Sequence, residues 1–302
     1  MPSHIKTRTM TKSNKSNKSS KSNKLNKKAK RGGGGGSMPT QIQSVKKTSG
    51  PVSLTVLEMG SQTVILLGDY HAEDKPLCSS CRVEDGCYTV QNLLEYVSDM
   101  YSGKTAVFLE LMDQQPSNVN PYGILANIEL LKIHADIYKF DIRTPTVLNH
   151  FINWLKQQNT RDIQEIYDLL RAETIKDEED PANTGLLRFL PKNAIRPLSE
   201  DAMEFLFYLD EPAPSTHLNN LLADIDIEDI DNKYLYYNAA VSLLWIIDMN
   251  LVHKFEQANK DMSIIFAGQA HIDKYEEYFT AIGFDIKIKE SVHESKCIMI
   301  SP

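Results

Sequence analysis

Acidic residues are absent from the first 37 positions of this 302-residue chain, where 11 Lys and Arg fall. From Met38 onward the balance reverses to 22 basic against 40 acidic residues, a surplus of −18 that the overall net charge of −7 conceals. Cysteine is scarce, and four residues in a chain this long do not make a disulfide scaffold. With 14 Gly and 13 Pro, collagen-like and wholly disordered chains are excluded. No apolar run reaches membrane length: the longest, Ala239 to Ile247, is about half a span and is interrupted by Ser242. No basic, apolar, small-residue series of the secretory type opens the chain. These absences leave a soluble, intracellular protein, cytoplasmic or nuclear. Its 41% hydrophobic content is sufficient for a core.

What is present divides into a tail and a globule. Residues 11–31 are a Lys/Ser/Asn run in which Leu25 is the one large apolar residue, and nothing there offsets the entropy of ordering. Residues 6–31 suit contact with nucleic acid or another acidic surface, or act as a plain solubilising tail. No aromatic residue interleaves the lysines, so nucleic-acid contact through them is non-specific and salt-sensitive. Lys27 to Arg31 has the form of a nuclear import signal. Gly32 to Gly36 with Ser37 is a flexible linker followed at once by Met38, a junction that resembles a fusion scar or an internal start. The expected organisation is a basic low-complexity tail and linker over 1–37 and a single α/β domain over 38–302.

Within the globule, Val52–Met59 and Gln62–Leu67 read as strands joined at Gly60-Ser61 in a hairpin. Thr105–Leu111, Asp136–Arg143 and Met262–Ala267 read as further buried strands, with Phe284–Ser291 and Lys296–Ser301 closing the chain. Helical patterns occupy Tyr88–Tyr101, Pro121–His134 and Ile272–Ile282. A long helical stretch follows the third buried strand, broken at Lys176–Thr184 and Glu211–Thr216. Its last member, Asp231 to Lys260, is apolar around much of its middle. Strands separated by helix-length crossovers imply an α/β fold. The expected sheet is largely parallel with mixed edges, flanked by helices, with a long helical insertion before the last strands.

The chemistry collects where the apolar strands end. One ends in Gly68-Asp69-Tyr70-His71, the next in Glu110, the third in Asp141-Ile142-Arg143, and the fourth in Gly268-Gln269-Ala270-His271. The carboxyl ends of parallel strands share one edge, where ligands bind in open α/β sheets. Two His, a Glu and an Arg are therefore expected in one cleft, although 200 residues separate the first from the last. Two neutral imidazoles and a carboxylate (His71, His271 and Glu110) form a three-ligand set for Zn or Mn with room for water. A metal-bound water attacks a carbonyl near neutral pH; without metal, a His paired with a carboxylate acts directly as general base. Arg143 either holds substrate or transition-state charge or simply pairs with Asp141 or Glu110. Asp248, in the middle of an apolar helix, reads as a hydrogen-bonded core carboxylate. His134, His150, His217, His253 and His293 have no repeated context and read as structural or exposed.

The series strand–Gly68-x-x-His71, strand–Glu110, strand–Arg143, strand–Gly268-x-x-His271 resembles the erythromycin-esterase/TraB/Tiki-like superfamily, to which the haem-binding ChaN-like proteins are related. The likeness spans roughly residues 52–285 and is most specific at Ile264 to His271. It implies His71, Glu110 and His271 as site residues with Arg143 as polar support. The implied activity is hydrolysis of an ester, lactone or amide carbonyl in a small molecule or peptide, by a metal-dependent esterase or peptidase. Haem binding is the less favoured alternative. Asp69 stands where many members carry Glu, and the membrane anchor of the Tiki and TraB types is missing. Lys/Asn/Ser tails on such domains look similar to those of proteins from AT-rich genomes, including giant DNA viruses. The rival expectation is a non-catalytic or virion-associated binding protein of the same fold, tethered by its tail.

Cys78-Ser79-Ser80-Cys81 and Cys87 follow the first His motif. Three thiols fall one short of a structural zinc site, which Cys297 or His71 could complete. A redox pair, a disulfide shaping the loop, and reduced unligated thiols are the other readings.

Overall fold

The computed structural model describes residues 47–70, 81–112, 132, 134–175, 212–227, 231–291 and 298–299. The chain separates at Ser37/Met38 into two units, and every described residue belongs to the second.

A six-stranded sheet forms the centre. Strands β2 (Ser53–Met59) and β3 (Gln62–Asp69) pair antiparallel through the two-residue connection Gly60-Ser61, where Gly60 has φ 64°, a conformation that favours glycine. With β5 (Thr105–Met112), β6 (Ala135–Asp141), β7 (Met262–Gly268) and β8 (Asp285–Ser291), the spatial order is β6-β5-β7-β3-β2-β8. The four strands from β6 to β3 are parallel, and β2 and β8 complete an antiparallel edge. Two short strands that the sequence pattern does not signal, β1 (Lys47–Ser49) and β4 (Cys87–Thr89), form a second sheet with β9 (Ile298–Met299), in the order β4-β1-β9.

Helices cover both faces of the central sheet. On one face lies α1 (Val90–Met100), capped by Thr89, whose hydroxyl accepts from the Asn92 amide. Its Leu93, Leu94 and Val97 pack with Ile65, Leu67, Val107, Leu109, Ile264 and Phe266. The helical insertion supplies α2 (Pro145–Gln157), α3 (Ile163–Ile175), α4 (Pro212–Asp224), α5 (Asn232–Ser242) and α6 (Leu244–Ala258), and α7 (Gln269–Ala281) follows β7 directly. Phe151, Trp245, Ile247 and Phe279 from this group share a core with Val64, Leu66, Phe108 and Phe140. Val64 and Leu66 thus face one layer and Ile65 and Leu67 the other, which explains why the strand is continuously apolar.

Two boundaries depart from the sequence reading. The expected single helix over Asp231 to Lys260 is two helices, α5 and α6, bent by 47°. Ser242 Oγ donates to the Asn238 carbonyl 2.8 Å away, one turn back, a local bond that competes with the helical ladder. The break expected at Glu211–Thr216 instead opens α4 at Pro212, since a proline in the first turn lacks only an N–H that the helix does not use. Most of the expected helix Pro121–His134 and the loop Lys176–Thr184 lie outside the described residues. Among the described residues, no single helix is long and apolar enough to cross a membrane.

Side chains of α6 bond to the backbone of β6. Asn250 Nδ2 donates to the Phe140 carbonyl at 2.8 Å and Lys254 Nζ to the Lys139 carbonyl at 2.7 Å. The same bonds fix α6 against the carboxyl half of the sheet and so place Asp248.

Candidate functional site

The β5–β7 ladder stops at Leu109↔Phe266, and the β5–β6 register shifts between Leu109 and Met112. Such an irregularity re-aims side chains, and here it falls at Glu110. Beyond the end of the ladder, Glu110 Oε2 accepts from the Gly268 amide at 2.7 Å, so a carboxylate stands where a strand partner has ended. Because α7 starts at the next residue, this anion also sits at the positive end of a helix, which favours its charge. Glu110 Oε1 accepts from Arg143 Nη2 at 2.9 Å.

Arg143 follows β6 and is gripped by Asp141. Its Nε and Nη2 donate to the two Asp141 oxygens at 3.0 Å each, and its backbone amide donates to Oδ1 at 2.9 Å. The fork geometry suits a planar guanidinium and explains why a carboxylate two residues upstream can orient it. With 17% of its side chain exposed, Arg143 bridges two carboxylates, Glu110 and Asp141, that are themselves nearly enclosed.

His271 enters from the first turn of α7. Its Nδ1 lies 2.5 Å from Asp248 Oδ1, and its Nε2 lies 3.5 Å from Glu110 Oε1. Asp248, fully buried on α6, also accepts from Tyr275 Oη at 2.7 Å and faces Lys274 Nζ at 3.4 Å. The result is a row of alternating charge, Asp248–His271–Glu110–Arg143–Asp141, running from the helical insertion to the outermost parallel strand. Burial alone would push the His271 imidazole down. The charges of Asp248 and Glu110 and the hydrogen bond to Asp248 outweigh burial, even against Arg143, and raise it to about 9. His271 is therefore an imidazolium at neutral pH. Burial also holds the Tyr275 phenol well above its usual range, reinforced by Asp248, and pushes the Lys274 amine down to about 8.

The β3 exit lies alongside. Asp69 is buried and stands in register with Gly268, as Gly68 does with Ala267. A Cβ on Gly68 would lie 2.0 Å from Gln269 Oε1 and 2.3 Å from Ser53 Oγ, two atoms that hydrogen-bond to each other across this position. A side chain at position 68 would therefore displace the Gln269 amide, so the first glycine of one Gly-x-x-His motif makes room for a side chain from the other.

Of the four residues expected to converge, Glu110, Arg143 and His271 do so, and His71 lies outside the described residues. Among the described residues no group of three His, Cys, Asp or Glu side chains is disposed to hold a metal ion. Glu110 and His271, two of the three residues expected as ligands, stand with Oε1 and Nε2 3.5 Å apart. Asp248, Lys274 and Tyr275 are the members the strand-exit pattern missed. Asp248 had a signal: it is the one Asp, Glu, Lys or Arg in residues 234–253, and a charge there needs a buried partner. Tyr275 and Lys274 follow His271 at helical spacings of four and three residues, which puts them near its face.

Of the readings for the cysteine loop, a disulfide is the one found. Cys81 pairs with Cys87 in a disulfide closed around the 3₁₀ turn Val83–Asp85, which Gly86 ends at φ 72°. Reduced, unligated thiols are therefore not the state of these two residues. Cys78 and Cys297 lie outside the described residues.

Comparison of the chain with models of known protein families, with curated proteins and with solved structures finds no significant match.

Proposed function

We propose that the cleft at the carboxyl ends of β5, β6 and β7 is a hydrolytic site acting on an ester, lactone or amide carbonyl of a small molecule or peptide. The observation that carries this reading is the state of His271. Its Nδ1 is committed to a buried carboxylate, while Nε2 lies 3.5 Å from Glu110 Oε1, beyond ordinary hydrogen-bond length. An imidazolium held in this way keeps a proton to deliver, which suits it as general acid toward a leaving alkoxide or amine. Asp248 fixes the ring and its tautomer. Arg143 and the Gly268 amide hold Glu110 as an anion opposite His271. In this reading His71, from the neighbouring strand exit, takes the proton of the attacking water. The resemblance of the strand exits to erythromycin-esterase/TraB/Tiki-like proteins supports the same reaction class.

A metal-assisted version is favoured by one further observation. With Nδ1 bound to a carboxylate, His271 has the arrangement in which Nε2 serves metal ions, and Glu110 Oε1 is close enough to share one. His271 and Glu110, with His71, would hold Zn or Mn, whose chemistry is to lower the pKa of bound water. Binding displaces the His271 proton, so metal affinity rises with pH up to about 9.

The test is hydrolysis of a panel of esters, lactones and peptides, with elemental analysis of the same preparations. Replacing His271 or His71 by Ala is expected to lower any hydrolysis by about 10²–10⁴-fold. In the metal-assisted case both replacements also lower bound metal. A panel that is not hydrolysed, or hydrolysis unchanged by both replacements, removes the reading.

A further inference from the structure

We propose that Lys274 is a nucleophilic amine, enclosed beside the buried carboxylate of Asp248, that condenses with small aldehydes to an imine. Three observations meet at one carboxylate. Lys274 Nζ lies 3.4 Å from Asp248 Oδ2, His271 Nδ1 lies 2.5 Å from Oδ1, and Tyr275 Oη donates to Oδ1 at 2.7 Å. An amine, a carboxylate and two proton donors therefore share a single buried hub. The Lys274 side chain is 17% exposed, so the amine is largely enclosed but still reachable, and by a small carbonyl compound in preference to a bulky one.

Enclosure has a chemical consequence. An exposed lysine amine is almost wholly protonated near neutral pH and inert as a nucleophile. Burial pushes Lys274 down to about 8 in spite of the adjacent carboxylate, which leaves about a quarter of it as free amine near pH 7.5. Desolvation of this kind is an established route to an activated lysine.

The step balances without any redox partner. The ammonium gives one proton to water, and the free amine attacks the carbonyl carbon to form a carbinolamine. The nitrogen loses a second proton, the oxygen leaves as water carrying two protons, and a protonated imine remains. Overall, ammonium and aldehyde become iminium and water. This activity stands beside the hydrolytic reading, and its test needs no turnover.

The experiment treats the full-length chain with acetaldehyde and sodium cyanoborohydride, which reduces the imine to a stable ethyl amine, and measures labelling of individual lysines by peptide mass spectrometry. Lys287 and Lys289 on β8, whose side chains are 41% and 61% exposed, serve as internal references. At pH 7.5, Lys274 is expected to label at least about ten-fold faster than either, and its rate to reach half-maximum near pH 8. Lys274→Arg is expected to lose that label with the others unchanged. Labelling of wild-type Lys274 no faster than Lys287 and Lys289, or without an inflection below pH 10, overturns the proposal whether or not the protein hydrolyses anything.

Discussion

Replacing Arg143 by methionine is expected to destabilise the fold by about 3–5 kcal/mol, the range for removing one partner of a buried ion pair. Methionine matches the length and apolar stem of arginine, so the loss isolates the guanidinium. Without it, Asp141 loses both side-chain bonds and Glu110 loses the bond at Oε1, while both carboxylates stay enclosed. His271 is 3.5 Å from Glu110 and offsets part of that charge, but among the described residues no second cation pairs with Asp141. The double variant Glu110→Gln with Arg143→Met is expected to lose less than the sum of the two single changes, because the second change removes one of the orphaned charges. Urea denaturation of the four proteins measures this. A loss below about 1 kcal/mol for Arg143→Met would place the guanidinium at a solvated surface, where ion pairs contribute that little.

Asp248→Asn is the second large effect, and it depends on pH. The His271 pKa is raised from 6.5 unfolded to about 9 folded, so its stabilisation is fully present below pH 6.5 and is lost as pH rises through 9. Between pH 6 and 8 the wild type should lose about 2 kcal/mol from this group. Lys274 acts in the opposite sense: depressed from 10.5 to about 8, it costs stability at low pH and that cost disappears as pH rises from 8 toward 10.5. The two overlap little below pH 8, so the decline from His271 dominates there. In Asp248→Asn the shape of the side chain is kept but its charge is gone, and burial then drives His271 below 6.5. The variant is expected to lose about 3 kcal/mol at pH 6 and to show no decline from pH 6 to 8. Equal slopes in variant and wild type would show that Asp248 does not hold the proton on His271.

The parts of this molecule legible in the sequence are those with a local pattern. Apolar strands that end in Gly-x-x-His, Glu or Asp-x-Arg mark a sheet edge, and helix-length crossovers make that edge common to all of them. Glu110, Arg143 and His271 meet for that reason. Asp248 is the hydrogen-bonded core carboxylate its apolar context implies, but a carboxylate inside an apolar helix does not reveal which strand exit it faces until the helix is docked. The docking depends on Asn250 and Lys254 reaching the β6 carbonyls, contacts across more than 100 residues that no periodicity encodes. The bend at Leu243 was hidden because the apolar run continues across it, and Ser242 acts through a single local bond. The short strands β1 and β4 carry too few residues for an alternating pattern. Pairing of Cys81 with Cys87 rather than within Cys78-x-x-Cys81 is a property of the turn between them, where Gly86 brings the chain back on itself. The −18 surplus of the globule is also clearer in part: Glu110, Asp141 and Asp248 are buried, two of them holding Arg143 and the third holding His271.

The most direct measurement of the central claim is the titration of His271 itself, followed by its ring carbon-bound protons in NMR spectra and assigned with a His271→Asn variant. An imidazolium held between Asp248 and Glu110 titrates with a midpoint of about 9. A midpoint at or below 6.5 would mean that burial has won over the two carboxylates, and the proton the proposed chemistry depends on would not be there at neutral pH.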